Sequence, residues 1–359
     1  MARVYNFNAG PAVLPLEVLE EARSEFVDFR GTGMSLLESS HRGKEYTAVH
    51  EEAVANLRSL LRLTDEHAVL LLQGGASAQF AMAPMNLLVA GQTADYLHSG
   101  AWAKKAIIEA KIIGKVNLAA DTSAEKPARM PREAELRLTP GAAYVHLTSN
   151  ETIDGTQWKA FPKVGAPLVA DMSSDILSRP FDATRFGLIY AGAQKNLGPA
   201  GVAVVALRKD LVARCPATVP KFFRYATHLE ENSLYNTPSC FTIYVIMLVT
   251  RWLMKQGLEA VWRRNVEKAA KIYAAIDGSG DFYRGTAAPD SRSDMNITFR
   301  LPSEALEDAF VKEASKNGMK GLKGHRSVGG IRASVYNAFP VEGVDALVGF
   351  MADFRQRSG

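Results

Sequence analysis

The chain has 359 residues, 47% hydrophobic and 22% charged, with 42 Lys and Arg against 38 Asp and Glu for a net charge of +4. That balance excludes a disordered or fibrous chain, and the length sets a prior of two domains or of one large domain with a smaller companion. No Lys or Arg block resembles a nucleic-acid arm, so the mild positive charge suits small anionic ligands better than a polyanion, and no nucleic-acid partner is expected.

The opening MARVYNFNAGPAVLP lacks the charged start and continuous apolar run of a secretory signal. From Pro15, PLEVLEEARSEFVDF carries apolar residues at helical spacing, with the proline suited to a first helical turn. KEYTAVHEEAVANLRSLLRL gives a second helix. Short apolar runs then alternate with helical ones: HAVLLL, SAQFAMAPMNLL, TADYLHS, AKKAIIEAKI, AAYVHLTS and APLVADMSS. Such alternation is the pattern of an α/β fold, a mostly parallel sheet with helices on both faces. RFGLIYAGAQ and GVAVVAL read as two more short buried strands. CFTIYVIMLVTRWLM is cut by Arg251 after about ten residues, against the roughly 20 that a bilayer requires, so it reads as a buried helix and no membrane is expected. Beyond the loop-rich DGSGDFYRGTAAPDSRSD come MNITFRL, a helix SEALEDAFVKEASKNG opened by Ser303 as N-cap, MKGLKG, IRASVYN and a closing helix from Val341. These read as a small second domain with its own sheet. Cys215 and Cys240 form neither a CxxC nor a metal spacing, so the chain reads as reduced and cytoplasmic, with no metal.

Ligands of open α/β sheets bind beyond the carboxyl ends of the strands, and several residues there carry chemistry. Lys195, in YAGAQKNLGP, stands among small and apolar residues at a strand end. An unpartnered buried ammonium costs several kcal/mol, so such a lysine is paired, neutralised or converted, unless its tip snorkels to water. In QGGASAQF, Gly74 and Gly75 permit a tight turn, Ala76 and Ser77 keep the backbone accessible, and the next helix offers unpaired N–H groups to a phosphate. Alone, glycines after a strand are commonly plain turn residues. The absence of GxGxxG and GxxxxGK(S/T) counts against dinucleotide and P-loop binding. Trp102, where a strand meets a helix, can stack on a planar ligand or simply fill core. Thr152 can donate its hydroxyl or serve a turn. Asp171, after four apolar residues, either finds a cation, takes up a proton or caps a helix, with Ser173 a phosphate-reaching hydroxyl nearby.

Together these residues suit one ligand. Pyridoxal 5'-phosphate carries an aldehyde for Lys195, a ring nitrogen for Asp171, a flat face for Trp102 and a phosphate for a helix N-terminus. On this reading Lys195 holds the cofactor as a Schiff base and, once displaced, shuttles the substrate α-proton, while Asp171 keeps the ring nitrogen protonated.

The segments FNAGPA, SHRGKEY, QGGASAQF, GAWAKKA, NETIDGTQ, DMSSDILSRP, YAGAQKNLGPAG, YNTPSCF and KGHRSVGGIRASVYNA resemble, in order and wording, the phosphoserine aminotransferase family, class V within the fold type I pyridoxal-phosphate enzymes. The similarity runs from the first residues to about Glu342. It implies a large α/β domain at 15–255 with a mixed seven-stranded sheet, and a small C-terminal α/β domain at 256–359 joined by the N-terminal segment 1–14, which packs near the active site. It implies that Lys195 is the Schiff-base lysine, that Gln194 contacts the cofactor phosphate, that Asp171 pairs with the pyridinium, that Trp102 stacks and that Thr152 hydrogen-bonds the cofactor. Ala76 and Ser77 occupy the phosphate-loop pair, where many members carry Arg or Thr, so backbone contacts and the Ser77 hydroxyl are what this chain offers. Asn236 and Thr237 match a pair reaching the phosphate of the other subunit, which implies an obligate homodimer.

The resemblance also implies the substrates. Arg332 matches the arginine that clamps the α-carboxylate through a bidentate fork. The pairs His41–Arg42 and His325–Arg326 match positions holding a distal phosphate or γ-carboxylate, and such pairs stand out in a chain with 7 histidines. The expected reaction is ping-pong transfer of the amino group of L-glutamate to 3-phosphohydroxypyruvate in serine biosynthesis, with the phosphorylated four-carbon keto acid of pyridoxine synthesis as a further substrate. Alanine–glyoxylate transamination is the alternative within class V, but its substrates leave both His–Arg pairs without purpose. A cysteine desulfurase needs a mobile cysteine in a glycine-serine loop, and Cys215 and Cys240 read as packing residues. A non-catalytic phosphate-binding protein leaves Lys195 and Asp171 unexplained.

Overall fold

The computed structural model describes residues 3–359. The first part of the chain forms β1 (Tyr5–Asn6), α1 (Leu16–Ser24), α2 (Lys44–Leu60), β2 (His67–Gln73), α3 (Gly75–Leu87), β3 (Thr93–His98), α4 (Ala101–Ile113) and β4 (Lys115–Asp121). Then follow β5 (Val145–Thr148), β6 (Asn150–Glu151), β7 (Thr156–Gln157), β8 (Leu168–Asp171), β9 (Phe186–Gly192) and β10 (Val202–Arg208). The last part comprises α5 (Tyr225–Glu230), α6 (Cys240–Gln256), α7 (Leu258–Asp277), β11 (Arg284–Gly285), β12 (Asn296–Arg300), α8 (Glu304–Lys316), β13 (Met319–Lys320), β14 (Ile331–Ser334) and α9 (Val341–Ser358).

Seven strands form the central sheet in the order β2-β10-β9-β8-β5-β3-β4. Only β10 runs antiparallel to its neighbours. It follows β9 by a short connection, which can return the chain only beside and opposite to the strand it left, whereas parallel neighbours need a crossover. Every residue of β8 and β9 is buried, as a sheet covered on both faces requires. Alternate residues serve opposite cores: Ile189 and Val204 join Val49, Leu57 and Ile246 of α2 and α6, whereas Tyr190 and Val205 join Phe80, Leu87 and Ile107 of α3 and α4. The side-chain period of two along a strand dictates this division. β4 escaped the sequence reading because it lies at the sheet edge and exposes Lys115, Leu118 and Asp121, so its apolar pattern is weak.

A third core gathers Ile272 and Ile276 of α7, Ile297 and Phe299 of β12, Phe310 of α8, Ala333 of β14 and Phe354 of α9. Phe310 is fully buried and its ring meets those of Phe299, Phe350 and Phe354; truncating such a side chain to Ala costs about 3–5 kcal/mol. The N-terminal segment belongs here as well, since β1 pairs in parallel with β13 and Phe7 lies in this core. The helix expected from Ser303 forms with the serine hydroxyl accepting the Leu306 N–H. Nine residues of α6 are buried, and no helix among the described residues is long and apolar enough to cross a membrane.

Candidate active site

A cavity of about 550 Å³ opens where β2, β3, β5, β8 and β9 end, at the carboxyl edge of the sheet. Its size falls in the usual range for small-ligand sites. Ala76, Ser77, Trp102, Thr152 and Asp171 line it, and so do Ser173, Gln194, Lys195, His325 and Arg332. These come from connections separated by up to 256 residues of sequence, yet all but His325 and Arg332 follow the carboxyl ends of strands of this one sheet. Ala9, Gly10 and Pro11 close one side, so the N-terminal segment does pack against the site.

Lys195 is 8% exposed, which removes the snorkelling alternative. Its turn is anchored by the next residue: Asn196 Nδ2 donates to the Ile176 carbonyl at 3.0 Å, and Asn196 Oδ1 accepts the Asn337 N–H at 3.1 Å. Lys195 Nζ donates to Thr152 Oγ1 at 2.8 Å and to Ser174 Oγ at 2.7 Å. Burial brings its amine down to about 8, against the upward pull of Asp171. At mildly alkaline pH a substantial share of this amine is therefore an unprotonated nucleophile, which an ordinary lysine is not.

Asp171 is 4% exposed, and burial raises its pKa while the bonds from Ser173 and the charge of Lys195 lower it. Oδ1 accepts the Ser173 N–H at 2.9 Å and the Ser173 hydroxyl at 2.6 Å. Oδ2 has no hydrogen-bond donor among the described residues. A carboxylate oxygen without a donor, on a buried residue that lines a cavity, suits a cationic or N–H-bearing ligand.

The glycine turn between β2 and α3 is tight. Gly74 and Gly75 adopt φ of 93° and 60°, and a Cβ on Gly74 would stand 2.6 Å from Ala78 Cβ, so a side chain is excluded both by conformation and by space. No acidic residue occupies the first turn of α3, leaving its N–H groups and dipole free for an anion. Two ammonium groups neighbour the Trp102 ring: Lys195 Nζ lies 5.6 Å and Lys105 Nζ 4.0 Å from its centroid. Arg332 Nε is buried with no partner among the described residues, and burial lowers the guanidinium pKa. Its charge is thus available to an incoming carboxylate.

Other residues from the sequence reading lie elsewhere. Arg326 is exposed beside His325 and does not line the cavity. His41, half-buried, and Arg42, exposed, precede α2 and are also absent from its walls. Asn236 and Thr237 sit against Gln73: Asn236 Nδ2 donates to Gln73 Oε1 at 2.9 Å, and Gln73 Nε2 donates to the Thr237 carbonyl at 2.8 Å. Conversely, Asn150 and Ser174 line the cavity although sequence reasoning passed over them. Ser174 was hidden because two serines follow Asp171, and only the turn decides which hydroxyl meets the acid and which the lysine.

The aminotransferase class-V family matches residues 4–347. The chain is 58% identical to the phosphoserine aminotransferase of Niallia circulans, over 99% of both chains. The solved phosphoserine aminotransferase of Bacillus circulans subsp. alkalophilus matches with a TM-score of 0.97 and 58% identity, covering 99% of each chain. A pyridoxal-phosphate-bound phosphoserine aminotransferase from Trichomonas vaginalis matches with a TM-score of 0.94 and 41% identity, over 98% of this chain and 100% of that one. With a cavity that joins a buried lysine to a buried aspartate at the end of this sheet, the chain belongs to the class-V aminotransferases, in the branch of the phosphoserine aminotransferases.

Proposed function

We propose that the protein binds pyridoxal 5'-phosphate in the Lys195 cavity and transfers the amino group of L-glutamate to 3-phosphohydroxypyruvate, giving O-phospho-L-serine and 2-oxoglutarate. The observation that carries this reading is the placement of Lys195 and Asp171, both buried, in one cavity with a glycine turn and an indole. The residues present fit the cofactor: an amine with a lowered pKa for its aldehyde, a donorless carboxylate oxygen for its ring nitrogen, and a helix N-terminus for its phosphate. When bound, the cofactor supplies the carbon that carries the amino group and the electron sink for breaking the bond to the α-hydrogen.

The chain's own residues supply the rest. Lys195 Nζ would hold the cofactor and would move the proton at the substrate α-carbon, aimed by Thr152 and Ser174. Asp171 would hold a proton on the heterocycle nitrogen, with Ser173 fixing the carboxylate. Gln194, Ala76 and Ser77, which line the same cavity, would hold the phosphate. Arg332 would pair with the substrate α-carboxylate, and His325 on the cavity wall, with Arg326 exposed next to it, would receive the distal anion.

His41, Arg42, Asn236 and Thr237 lie outside the cavity of their own chain, which supports a homodimer whose second copy brings these segments to the site. The stretch before His41 exposes Val27 at 79%, Met34 at 45% and Leu37 at 54%. Exposed apolar side chains so close together mark an association surface. The grouping of most residues after 256 with the N-terminal segment in a core of their own supports a large domain ending near 255 and a small one from 256, with Val261 at the start of α7 still packed into a sheet core. The same anion contacts would admit the phosphorylated four-carbon keto acid of pyridoxine synthesis. A coupled assay tests the reading: glutamate with phosphohydroxypyruvate should exceed alanine with glyoxylate by about a hundredfold or more in kcat/KM, because the latter pair leaves the distal cations unpaired. Equal rates would overturn it.

A further inference from the structure

The first turn of α4, which carries Trp102, is capped from outside its own helix. The residue before it, Gly100, has no side chain. Glu151, at 0% exposure on β6, reaches across instead. Its Oε2 accepts the Trp102 N–H at 2.9 Å, and its Oε1 accepts the Ala103 N–H at 2.9 Å and the Ser99 hydroxyl at 3.3 Å. Gly100 is bound to this arrangement by space: a Cβ there would stand 2.8 Å from Glu151 Cδ and 2.6 Å from Asp154 Oδ2. The next residue in sequence, Thr152, is one of the two that accept Lys195 Nζ. Consecutive residues of one tight hairpin therefore grip the tryptophan backbone and the lysine amine.

Ordinary helix capping does not require this. An exposed acid, serine or asparagine would satisfy the same N–H groups without the cost of burying a carboxylate. That cost is present, since burial lifts Glu151 to about 8. The indole has no polar anchor of its own among the described residues, because Trp102 Nε1 is buried without a partner.

We propose that Glu151 is a positioning residue that fixes the plane of the Trp102 indole at the cofactor cavity by clamping the N–H groups of residues 102 and 103. The inference rests on reading that cavity as the pyridoxal-phosphate site. Each Glu151 oxygen accepts one of these backbone N–H groups whether or not the acid carries a proton, whereas the NH₂ of a glutamine accepts none, so it must face one of them and the turn must shift.

A double-mutant cycle on apoprotein tests it, with pyridoxal 5'-phosphate affinity measured by equilibrium dialysis. Glu151→Gln should weaken binding about tenfold or more, and Trp102→Ala by a similar factor, whereas the double variant should be within about twofold of Trp102→Ala. The visible circular dichroism of the bound cofactor should fall in Glu151→Gln. Binding by Glu151→Gln within about twofold of wild type, or additive losses in the double variant, would overturn the proposal. Failure of the wild-type apoprotein to bind would instead overturn the reading of the cavity. If Glu151→Gln does not fold, Gly100→Ala displaces the carboxylate from the other side and enters the same cycle with the same expected outcomes.

Discussion

Asp171 and Ser173 form a closed pair: Ser173 donates both its N–H and its hydroxyl to Asp171 Oδ1, and Ser173 Oγ in turn accepts the Gly192 N–H at 3.0 Å. The acid at the end of β8 is thereby locked to the end of β9, three residues before Lys195. One oxygen is held by the protein while the other faces the cavity. Asp171→Asn preserves shape and the acceptor for Ser173 but removes the charge that retains a ring proton. Its kcat should fall by about a hundredfold or more while the melting temperature stays within a few degrees, measured by steady-state kinetics and calorimetry. Unchanged kcat would remove Asp171 from the chemistry.

Lys195 yields a prediction in pH. Its amine in the folded protein titrates at about 8, below the ordinary lysine value of about 10.4. Between those values the unfolded chain binds more protons than the folded one, so this group makes stability rise with pH across the window from about 8 to 10. Below it the burial penalty is complete. Apoprotein should therefore gain thermal stability relative to its Lys195→Met variant as pH increases through that window, and a constant gap would refute the depressed amine. Lys195→Met should also abolish turnover.

The cations divide by function. Arg332→Lys keeps the charge but loses the planar fork, and should raise KM for every amino and keto acid substrate about tenfold or more. Arg42→Ala and Arg326→Ala should raise KM for phosphohydroxypyruvate well beyond that for an uncharged keto acid. Equal effects on both substrates would deny the two arginines a role at the distal anion.

Lys268 is 1% exposed and donates to the carbonyls of Val335, Tyr336 and Phe339 at 2.9, 2.7 and 3.2 Å. It ties α7 to the segment after β14, where Tyr336 in turn donates to the Ala9 carbonyl at 2.8 Å. Lys268→Met leaves these carbonyls without their donor and should cost about 3 kcal/mol or more in denaturant unfolding. A loss below about 1 kcal/mol would show that water replaces the ammonium.

The order of strands and helices was legible because it is written in local periodicity. Runs such as HAVLLL and GVAVVAL are apolar throughout because their strands are covered on both faces, and the edge strand β4 went unseen because it is not. The pairing of Lys195 with Asp171 could also be inferred, since each is an ionisable group in surroundings too apolar to leave it alone, and the family motifs supply the ligand that answers both.

What the sequence determined by itself is therefore the α/β layering and the chemical kind of the site. Tertiary structure alone decided that Ser174 rather than Ser173 meets the lysine, that Glu151 crosses to hold the α4 turn, and that His41 and Arg42 stand outside the cavity of their own chain. The reason is physical. Periodicity reports which way a side chain points from its own strand or helix, whereas these contacts depend on how loops from different strands approach one another, and no local pattern encodes that distance.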